Sequence, residues 1–401
     1  MSQAPRVLFL GHGGYLSLGA QARALGVGAL VKGAFGPEAI CTAGATSLRK
    51  GLSPSSVELA YSTPVRLMRQ VLAHDVLFLS PDECFEGGRN LVQLRWMSCA
   101  LRFAKLVGRR VVLVLSALPP LAGSERDIAL RMAKQADLLT VTNGTVEAAL
   151  RVAGLTRHIE VLCDPLFAMG GNFVPTPTTA ATGRPVVGLA PVDFYAHPIR
   201  ARLHGHFALK AGWPAYTDWH PQRARQTAEL EQAWADFAQH LVKARGFEVR
   251  LLPTCELSQA TCQRIYERLP VDVRYFSKVL GSGTCLQETL PELPGLKFMV
   301  SSSLALSSFA LAASVSNAAL ASGCAFETML RDSGLEDRLI EQWEPGATAL
   351  QLERLFHSVT FDEGRHRTVQ AEFLLDTLAP TCDRFSVVLE EWWRSPAIFK
   401  S

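Results

Sequence analysis

The sequence lacks the cysteine and charge patterns that define several protein classes. Its nine cysteines are scattered through 401 residues without a Cys-x-x-Cys pair or a regular spacing. Such a set is typical of reduced core thiols, and it favours neither a disulfide framework nor a zinc site. The net charge is only +3 and is spread along the chain, so it gives no indication of nucleic-acid binding. We therefore expect no metal, no other cofactor and no nucleic-acid partner.

Strongly apolar runs of membrane-spanning length are also missing. The N-terminus, MSQAPRVLFLGHGG, has no extended apolar segment behind a basic start, which favours a cytoplasmic protein. Val300–Phe326 has no charged residue and no histidine, and it is long enough to cross a bilayer. Its eight serines and many alanines leave few large apolar side chains, and no aromatic belt or basic flank marks its ends. We predict no membrane span and assign this neutral stretch to a folded domain.

What the sequence does contain is a repeated strand-and-helix pattern. Hydrophobic residues make up 48% and charged residues 19% of the chain, which is enough apolar material for two sizeable cores. Continuous apolar runs predict strands that are buried on both faces, as in a parallel sheet. The predicted strands of the first half are Arg6–Gly11, Asp75–Ser80, Arg110–Ser116, Leu138–Thr142 and Ile159–Asp164. Helical patterns between them indicate a doubly wound α/β domain.

The pattern stops at a proline- and threonine-rich segment and then starts again. We predict an N-terminal Rossmann-like domain over 1–173, a linker over 174–185 and a second such domain over 186–350, with helices over 351–401 packing across both. The predicted strands of the second domain are Val186–Pro191, Phe247–Thr254, Asp272–Ser277 and Leu296–Ser302. Two such domains face a cleft, and ligands of open α/β sheets bind beyond the carboxyl ends of the strands.

A glycine loop follows the first predicted strand. Its residues are Gly11, His12, Gly13 and Gly14, and Ser17 stands before the next helical pattern. Backbone amides in such a loop can approach an anion at a helix N-terminus. The spacing does not fit G-x-G-x-x-G, and the sequence has no G-K-[ST]. A tight strand-to-helix turn therefore stays the alternative to a binding loop.

The densest group of titratable side chains follows the strand that opens the second domain. It comprises Asp193, His197, Arg200, Arg202, His204 and His206. Histidine titrates near neutral pH and arginine binds anions, so the group is a candidate site for a small anionic or sugar ligand. A basic surface loop is the alternative, and the His-x-His spacing does not favour zinc. Ser303 and Ser307 in the neutral stretch are further binding candidates, although no G-x-S-x-G elbow surrounds them.

Four segments of the chain resemble the polysaccharide pyruvyl transferases. Gly14–Ala22, GYLSLGAQA, stands where that family has G-x-x-N-x-G-D-E-A, and Ala136–Leu150, ADLLTVTNGTVEAAL, stands for ADLxTVRDxxSxxxL. Asp164–Phe167, DPLF, matches the family's DPAF. Ser303–Ala325 fits the frame RLHxxxxAxxxGVPxxxLxYxxK residue for residue. The resemblance covers about residues 6 to 340.

This resemblance implies a glycosyltransferase-B-like fold and a transferase ancestry. Family members move the enolpyruvyl group of phosphoenolpyruvate onto two sugar hydroxyls, and cationic and acid–base side chains must serve that reaction. Where the family has these cationic and acid–base side chains, this sequence has small residues. The replaced positions are Thr142, Ser303, Ala305, Ser322 and Ala325.

Three interpretations follow from these replacements. The first is a protein of a cell-envelope-glycan or related pathway that has lost phosphoenolpyruvate-dependent ketal transfer and works with a protein partner or as a homo-oligomer. The second is a transferase with a rebuilt site, which uses the glycine loop and the group at 193–206 for a different donor or acceptor. The third is an active pyruvyl transferase with relocated cationic residues.

Overall fold

The chain forms two α/β layers, each built on a sheet of parallel strands, and helices near the C-terminus contact both layers. The structure is a computed structural model, and it describes residues 4–11, 17–45, 57–61, 64–81, 91–118, 124–172, 183–193, 199–201, 215–217, 221–281, 286–320, 329–331, 333–340, 348–360 and 363–395. Among these residues, no helix combines the length and the apolar character that crossing a bilayer requires.

The first layer is a seven-stranded parallel sheet of order β3-β2-β1-β4-β5-β6-β7. Its strands are β1 (Arg6–Leu10), β2 (Ile40–Ala45), β3 (Val57–Tyr61), β4 (Val76–Leu79), β5 (Arg110–Leu115), β6 (Leu138–Val141) and β7 (Glu160–Val161). Its helices are α1 (Leu18–Phe35), α2 (Pro64–Ala73), α3 (Leu91–Leu106), α4 (Ser124–Gln135) and α5 (Gly144–Val152). A 3-10 helix, Pro165–Asn172, follows the last strand.

The second layer is a six-stranded parallel sheet of order β12-β11-β8-β13-β14-β15. Its strands are β8 (Val186–Ala190), β11 (Glu248–Leu251), β12 (Ser277–Val279), β13 (Leu296–Ser301), β14 (Ser316–Leu320) and β15 (Leu339–Ile340); β9 (Ile199–Ala201) and β10 (Ala215–Thr217) form a separate antiparallel pair. Its helices are α6 (Pro221–Arg245), α7 (Glu256–Arg268), α8 (Val271–Arg274), α9 (Leu286–Thr289) and α10 (Leu304–Ala312), with 3-10 helices at Leu290–Gly295 and Glu336–Arg338.

The prediction of two Rossmann-like α/β domains is confirmed by these two sheets. In both, the first strand along the chain lies inside the sheet, and the strand order reverses beside it, between β1 and β4 and between β8 and β13. The central strands β4, β8 and β14 are buried at every residue. Burial on both faces is what the continuous apolar runs of the sequence indicated.

One predicted strand, Asp272–Ser277, is wrong. The structure has the single turn α8 over the first half of that segment, and β12 begins only at Ser277. Pro270 is the N-cap of this turn, and Val273 is its buried residue. A proline beside the first helical residue favours the start of a helix, and this local preference prevails over the alternating apolar pattern.

Helices α11 (Thr348–Thr360), α12 (Glu363–Glu372) and α13 (Ala379–Arg394) form the C-terminus, and a π-helical segment, Phe373–Leu378, joins the last two. Helix α13 packs against the first layer, where Phe385 and Trp392 are fully buried with Phe9 of β1. Arg110 stacks its guanidinium 4.3 Å from the ring centroid of Trp393. Helix α11 instead packs in the core of the second layer. The C-terminal helices therefore contact both layers.

Candidate functional site

A cavity of about 350 Å³ opens where the first layer faces α10 and the C-terminal helices. One wall follows the carboxyl ends of β5, β6 and β7, where ligands of open α/β sheets bind. The opposite walls come from α10, from the start of the 3-10 helix and from the π-helical segment. The lining residues are Ser116, Thr142, Asn143, Gly144, Val161, Leu162, Cys163, Asp164, Phe167, Leu304, Ser308, Met329, Phe373, Thr377, Leu378 and Thr381.

Asp164 is the charged residue among the described lining residues, and Arg23 of α1 neutralises it. The Arg23 Nε lies 3.1 and 3.2 Å from the two carboxylate oxygens, and Nη2 lies 3.0 Å from Oδ2. The same carboxylate accepts hydrogen bonds from the Ser116 hydroxyl at 3.1 Å and from the Leu166 amide at 2.9 Å. The side chains are only 4% and 12% exposed. The pair fixes the start of the 3-10 helix onto α1 and leaves no unbalanced charge on the cavity wall.

The close approach of α1 to the 3-10 helix depends on Gly26. A Cβ at that position would lie 1.7 Å from the carbonyl oxygen of Pro165 and 2.6 Å from its carbonyl carbon. No side chain fits against a backbone group at that distance. Because Pro165 directly follows Asp164, this contact holds the acidic wall of the cavity in place.

Hydroxyl and amide groups surround the cavity. Several of them form hydrogen bonds with nearby backbone or side-chain groups of the protein. Asn143 accepts the Val146 amide at 2.9 Å as the N-cap of α5, and its amide group donates to the Thr142 hydroxyl at 3.2 Å. Ser308 donates to the Leu304 carbonyl at 2.9 Å. Thr381 donates to carbonyls of the preceding turn. These groups present lone pairs and apolar stems to the cavity, which suits a neutral, hydroxyl-bearing ligand.

The π-helical segment contributes Phe373, Thr377 and Leu378 to the cavity. Pro380 follows it in the first turn of α13. A proline has no backbone N–H to donate to the carbonyl four residues earlier, and its ring crowds that carbonyl. The π-helical turn lies directly before this proline, and the helix is wider there than an α-helix. The widened turn brings three side chains to the cavity from a helix that continues on both sides.

No lysine, arginine or histidine is among the described residues that line the cavity. Thr142 lines it at the position where the resemblance has an arginine, and Leu304 lines it beside Ala305, which replaces a histidine. Ala305 is half-buried and packs against the apolar cluster around Leu306 and Phe309. The described walls thus offer a phosphate or carboxylate group no cation to bind.

Three predicted binding residues that the structure describes, Ser17, Ser303 and Ser307, are not among the lining residues of this cavity. Ser17 and Ser303 are N-caps, and their side chains accept hydrogen bonds from the amides of Ala20 and Leu306. Ser307 is fully buried, and its hydroxyl lies 3.5 Å from the side-chain oxygen of Asn317. The prediction that Ser303 and Ser307 are binding residues is not supported by these contacts, because both hydroxyls serve the packing of α10.

Two further predicted residues have structural partners. Asp193 is buried and accepts hydrogen bonds from the Thr227 hydroxyl of α6 at 3.0 and 3.2 Å. A Cβ on Gly11 would lie 2.0 Å from the ring of Phe9, so close packing alone requires glycine there. Arg200 lies on β9. His12, Gly13, Gly14, His197, Arg202, His204, His206, Ser322 and Ala325 lie outside the described residues.

Helix α10 ends in a left-handed turn at Ser314. The glycine of the frame RLHxxxxAxxxGVP falls on Ser314, which has φ 56° and is the non-glycine residue at positive φ among those described. Its amide bonds the Leu311 carbonyl, and the next amide bonds the Ala310 carbonyl. This is the left-handed turn at which helices commonly end in glycine. Ser314 thus adopts a backbone conformation that glycine takes without strain.

Replacing Ser314 with glycine should stabilise the protein by about 0.5–1 kcal/mol, because a side chain in the left-handed region is strained. Chemical denaturation measures the free energy of unfolding. The matched control is Ala312→Gly at the last position of α10, which should cost about 1 kcal/mol because its backbone is helical. A destabilised Ser314→Gly variant would contradict the assigned turn.

Comparison with known proteins identifies a fold and no family. No protein-family profile matches the chain, and no curated protein sequence matches it. Among solved structures, the MnaA–UDP complex of S. aureus is similar with TM-score 0.60 and 11% identity over 99% of this chain and 98% of that one. A glycosyltransferase from Rickettsia africae has TM-score 0.55 and 11% identity over 98% and 100%. The UDP-GlcNAc 2-epimerase of Methanocaldococcus jannaschii has TM-score 0.55 and 7% identity over 88% and 91%. The chain has the glycosyltransferase-B-like fold of these proteins.

Proposed function

We propose that this chain is a polysaccharide pyruvyl transferase-like protein that binds a neutral sugar in the cavity and has no phosphoenolpyruvate-dependent ketal transfer. It acts as a non-catalytic, ligand-binding member of a glycan biosynthetic pathway. The observation that carries the proposal is the position and chemistry of the cavity. It lies at the strand ends where the resemblance has its catalytic side chains, and its described lining has hydroxyls in place of cations.

The charge of phosphoenolpyruvate is the physical reason for excluding it as the ligand. Its phosphate and carboxylate need charge-assisted hydrogen bonds from arginine, lysine or protonated histidine. The cavity offers instead the carboxylate of Asp164, whose cation partner Arg23 is already engaged in three contacts. An anion entering the cavity would lose its hydration without gaining a cation from the walls that the structure describes, and such burial is costly.

The lining suits a sugar because it combines polar and apolar groups. Pyranose rings present hydroxyls at their edge and C–H groups on their faces, and sites for such ligands pair polar side chains with aromatic and aliphatic ones. Phe167, Phe373 and Leu304 supply the apolar surface, and Thr142 and Asn143 supply hydrogen-bonding groups. The names of the structural neighbours, which include UDP and UDP-GlcNAc, make UDP-sugars the ligand class to test next to free sugars.

A thermal-shift titration with methyl hexopyranosides and UDP-sugars tests this proposal. A ligand at about one hundred times its dissociation constant stabilises the folded state by about 2.7 kcal/mol, which for a chain of this size raises Tm by about 3 °C. We expect such a shift with at least one methyl hexopyranoside. A shift with UDP-sugars alone, or with none of the compounds, would contradict binding of a neutral sugar.

Two tryptophan variants show whether the shift comes from the cavity. Thr377→Trp places a large side chain on the cavity wall and should abolish the shift, since Thr377 lines the cavity and is otherwise exposed. Leu375→Trp is the matched control, because Leu375 belongs to the same π-helical segment, is 70% exposed and does not line the cavity. Equal shifts in both variants would place the ligand elsewhere.

A further inference from the structure

Two cysteines meet at the edge of the cavity. The sulfur of Cys382 lies 2.7 Å from the sulfur of Cys163, and the two residues are 219 positions apart in the sequence. Cys163 is buried and Cys382 is half-buried, and both are free thiols in this structure. Two thiols whose sulfur atoms are in contact can be joined by a disulfide without a large movement of the backbone.

Rigid elements hold both thiols. Cys163 directly precedes Asp164, whose carboxylate is bound by Arg23, Ser116 and a backbone amide. Cys382 lies in the first turn of α13, which is anchored by buried Phe385 and Trp392 three and ten residues further on. The sulfur–sulfur contact therefore joins two fixed walls of the cavity.

We propose that Cys163 and Cys382 form a thiol–disulfide exchange site that reacts with low-molecular-weight disulfides such as glutathione disulfide. The resulting bond fastens α13 to the end of β7 and fixes two walls of the cavity relative to each other, since Cys163 and the neighbouring Thr381 both line it. This proposal does not depend on the nature of the cavity's ligand.

The exchange takes two steps, each of which exchanges one sulfur–sulfur bond for another. The more exposed Cys382, as thiolate, attacks glutathione disulfide, forms a mixed disulfide and releases one glutathione thiolate. Cys163 then loses its proton to solvent and attacks the Cys382 sulfur, which releases the second glutathione. The two protein thiols lose two electrons, the glutathione disulfide gains them, and the two protons end on the glutathione products.

The surroundings of Cys163 set the speed of the second step. The hydrogen bond with Cys382 and burial raise the pKa of the Cys163 thiol well above its ordinary value. A thiol with a raised pKa is a thiolate only to a small extent at neutral pH, and the thiolate is the attacking form. We expect disulfide closure to quicken as the pH rises toward that pKa.

Alkylation followed by peptide mass mapping tests the site directly. The folded protein is equilibrated in glutathione buffers of increasing disulfide fraction, free thiols are alkylated, and the peptides that contain Cys163 and Cys382 are identified. We expect these two peptides to be joined in the wild-type protein and in the control Cys99→Ser, which changes an exposed cysteine on α3. Cys382→Ser should lose the linkage while its circular dichroism spectrum stays that of the wild type.

A second readout distinguishes closure of the long loop from simple modification. A cross-link over 219 positions restricts the unfolded chain, so oxidation should raise Tm by about 5 °C in the wild type and leave Cys382→Ser unchanged. Glutathione attached to Cys382 without linkage to Cys163 would overturn the proposal. So would full alkylation of both cysteines in the most oxidising buffer.

Discussion

Replacing Gly26 with alanine should destabilise the protein by about 3 kcal/mol or more, because overpacking against a rigid neighbour is costly. The added Cβ would lie 1.7 Å from the carbonyl oxygen of Pro165, and that oxygen belongs to the backbone and cannot rotate away. Helix α1 and the 3-10 helix would have to separate, and the Arg23–Asp164 pair lies directly beside that contact. Urea denaturation followed by circular dichroism measures the loss.

The matched control for Gly26→Ala is Gly33→Ala in the same helix. A Cβ at Gly33 would lie 2.7 Å from the Ser386 hydroxyl, which is a side-chain group that can turn away. The Ser386 Cβ would lie 3.3 Å away, so Ser386 must shift slightly. Because alanine favours a helix over glycine by roughly 0.5–1 kcal/mol, which offsets that shift, Gly33→Ala should change stability by less than about 1 kcal/mol. Similar stabilities for the two variants would show that α1 does not approach the 3-10 helix as closely as the structure has it.

Arg23→Met should cost about 3–5 kcal/mol, since removing one partner of a buried ion pair leaves an uncompensated charge. The carboxylate of Asp164 would keep its bonds from Ser116 and the Leu166 amide but would lose all three contacts with the guanidinium. Thermal or chemical denaturation measures the change in the free energy of unfolding. A decrease in the free energy of unfolding of less than about 1 kcal/mol is typical of an exposed ion pair. Such a result would contradict the burial of the Arg23–Asp164 pair.

Two comparisons separate the ion pair from general effects of the substitution. Arg225→Met removes an arginine from an exposed pair with Glu229, where the side chains are 83% and 53% exposed, and should change stability by less than about 0.5 kcal/mol. The double variant Arg23→Met, Asp164→Asn no longer buries a lone charge. We expect it to lose less than the sum of the two single variants, because contacting partners are not additive.

The strands were predictable wherever apolar side chains are continuous. β4, β5 and β13 follow from VLFL, RVVLVL and LKFMVS. A parallel strand that is buried on both faces consists almost entirely of apolar residues, and these runs show that pattern. β14, SNAAL, escaped prediction because serine, asparagine and alanine have low strand propensity, and only its position between β13 and β15 makes it a strand. The neutral stretch therefore holds a helix and a second strand as well as the end of β13.

The site was harder to predict than the fold. The strand-end rule directed attention to the glycine loop and to the group at 193–206. The resemblance named Thr142 as a replaced position and Asp164 within DPLF, and both of these residues line the cavity. The strand-end rule cannot identify the other walls, because Phe373, Thr377 and Thr381 come from helical segments more than 200 positions away from Asp164 in the sequence. The partners Arg23 for Asp164 and Thr227 for Asp193 are likewise set by tertiary packing, which local patterns do not record.

Isothermal titration of phosphoenolpyruvate into the wild-type protein tests the central claim most directly. The account predicts no saturable heat up to millimolar concentrations, because the described cavity walls provide no cation for the phosphate or the carboxylate. The methyl hexopyranoside that shifts Tm serves as the positive control for folded, binding-competent protein. The contradicting result is one-to-one binding of phosphoenolpyruvate with a dissociation constant below about 1 mM, which is a binding free energy of more than about 4 kcal/mol. That result would restore the third interpretation, a pyruvyl transferase with relocated cationic residues.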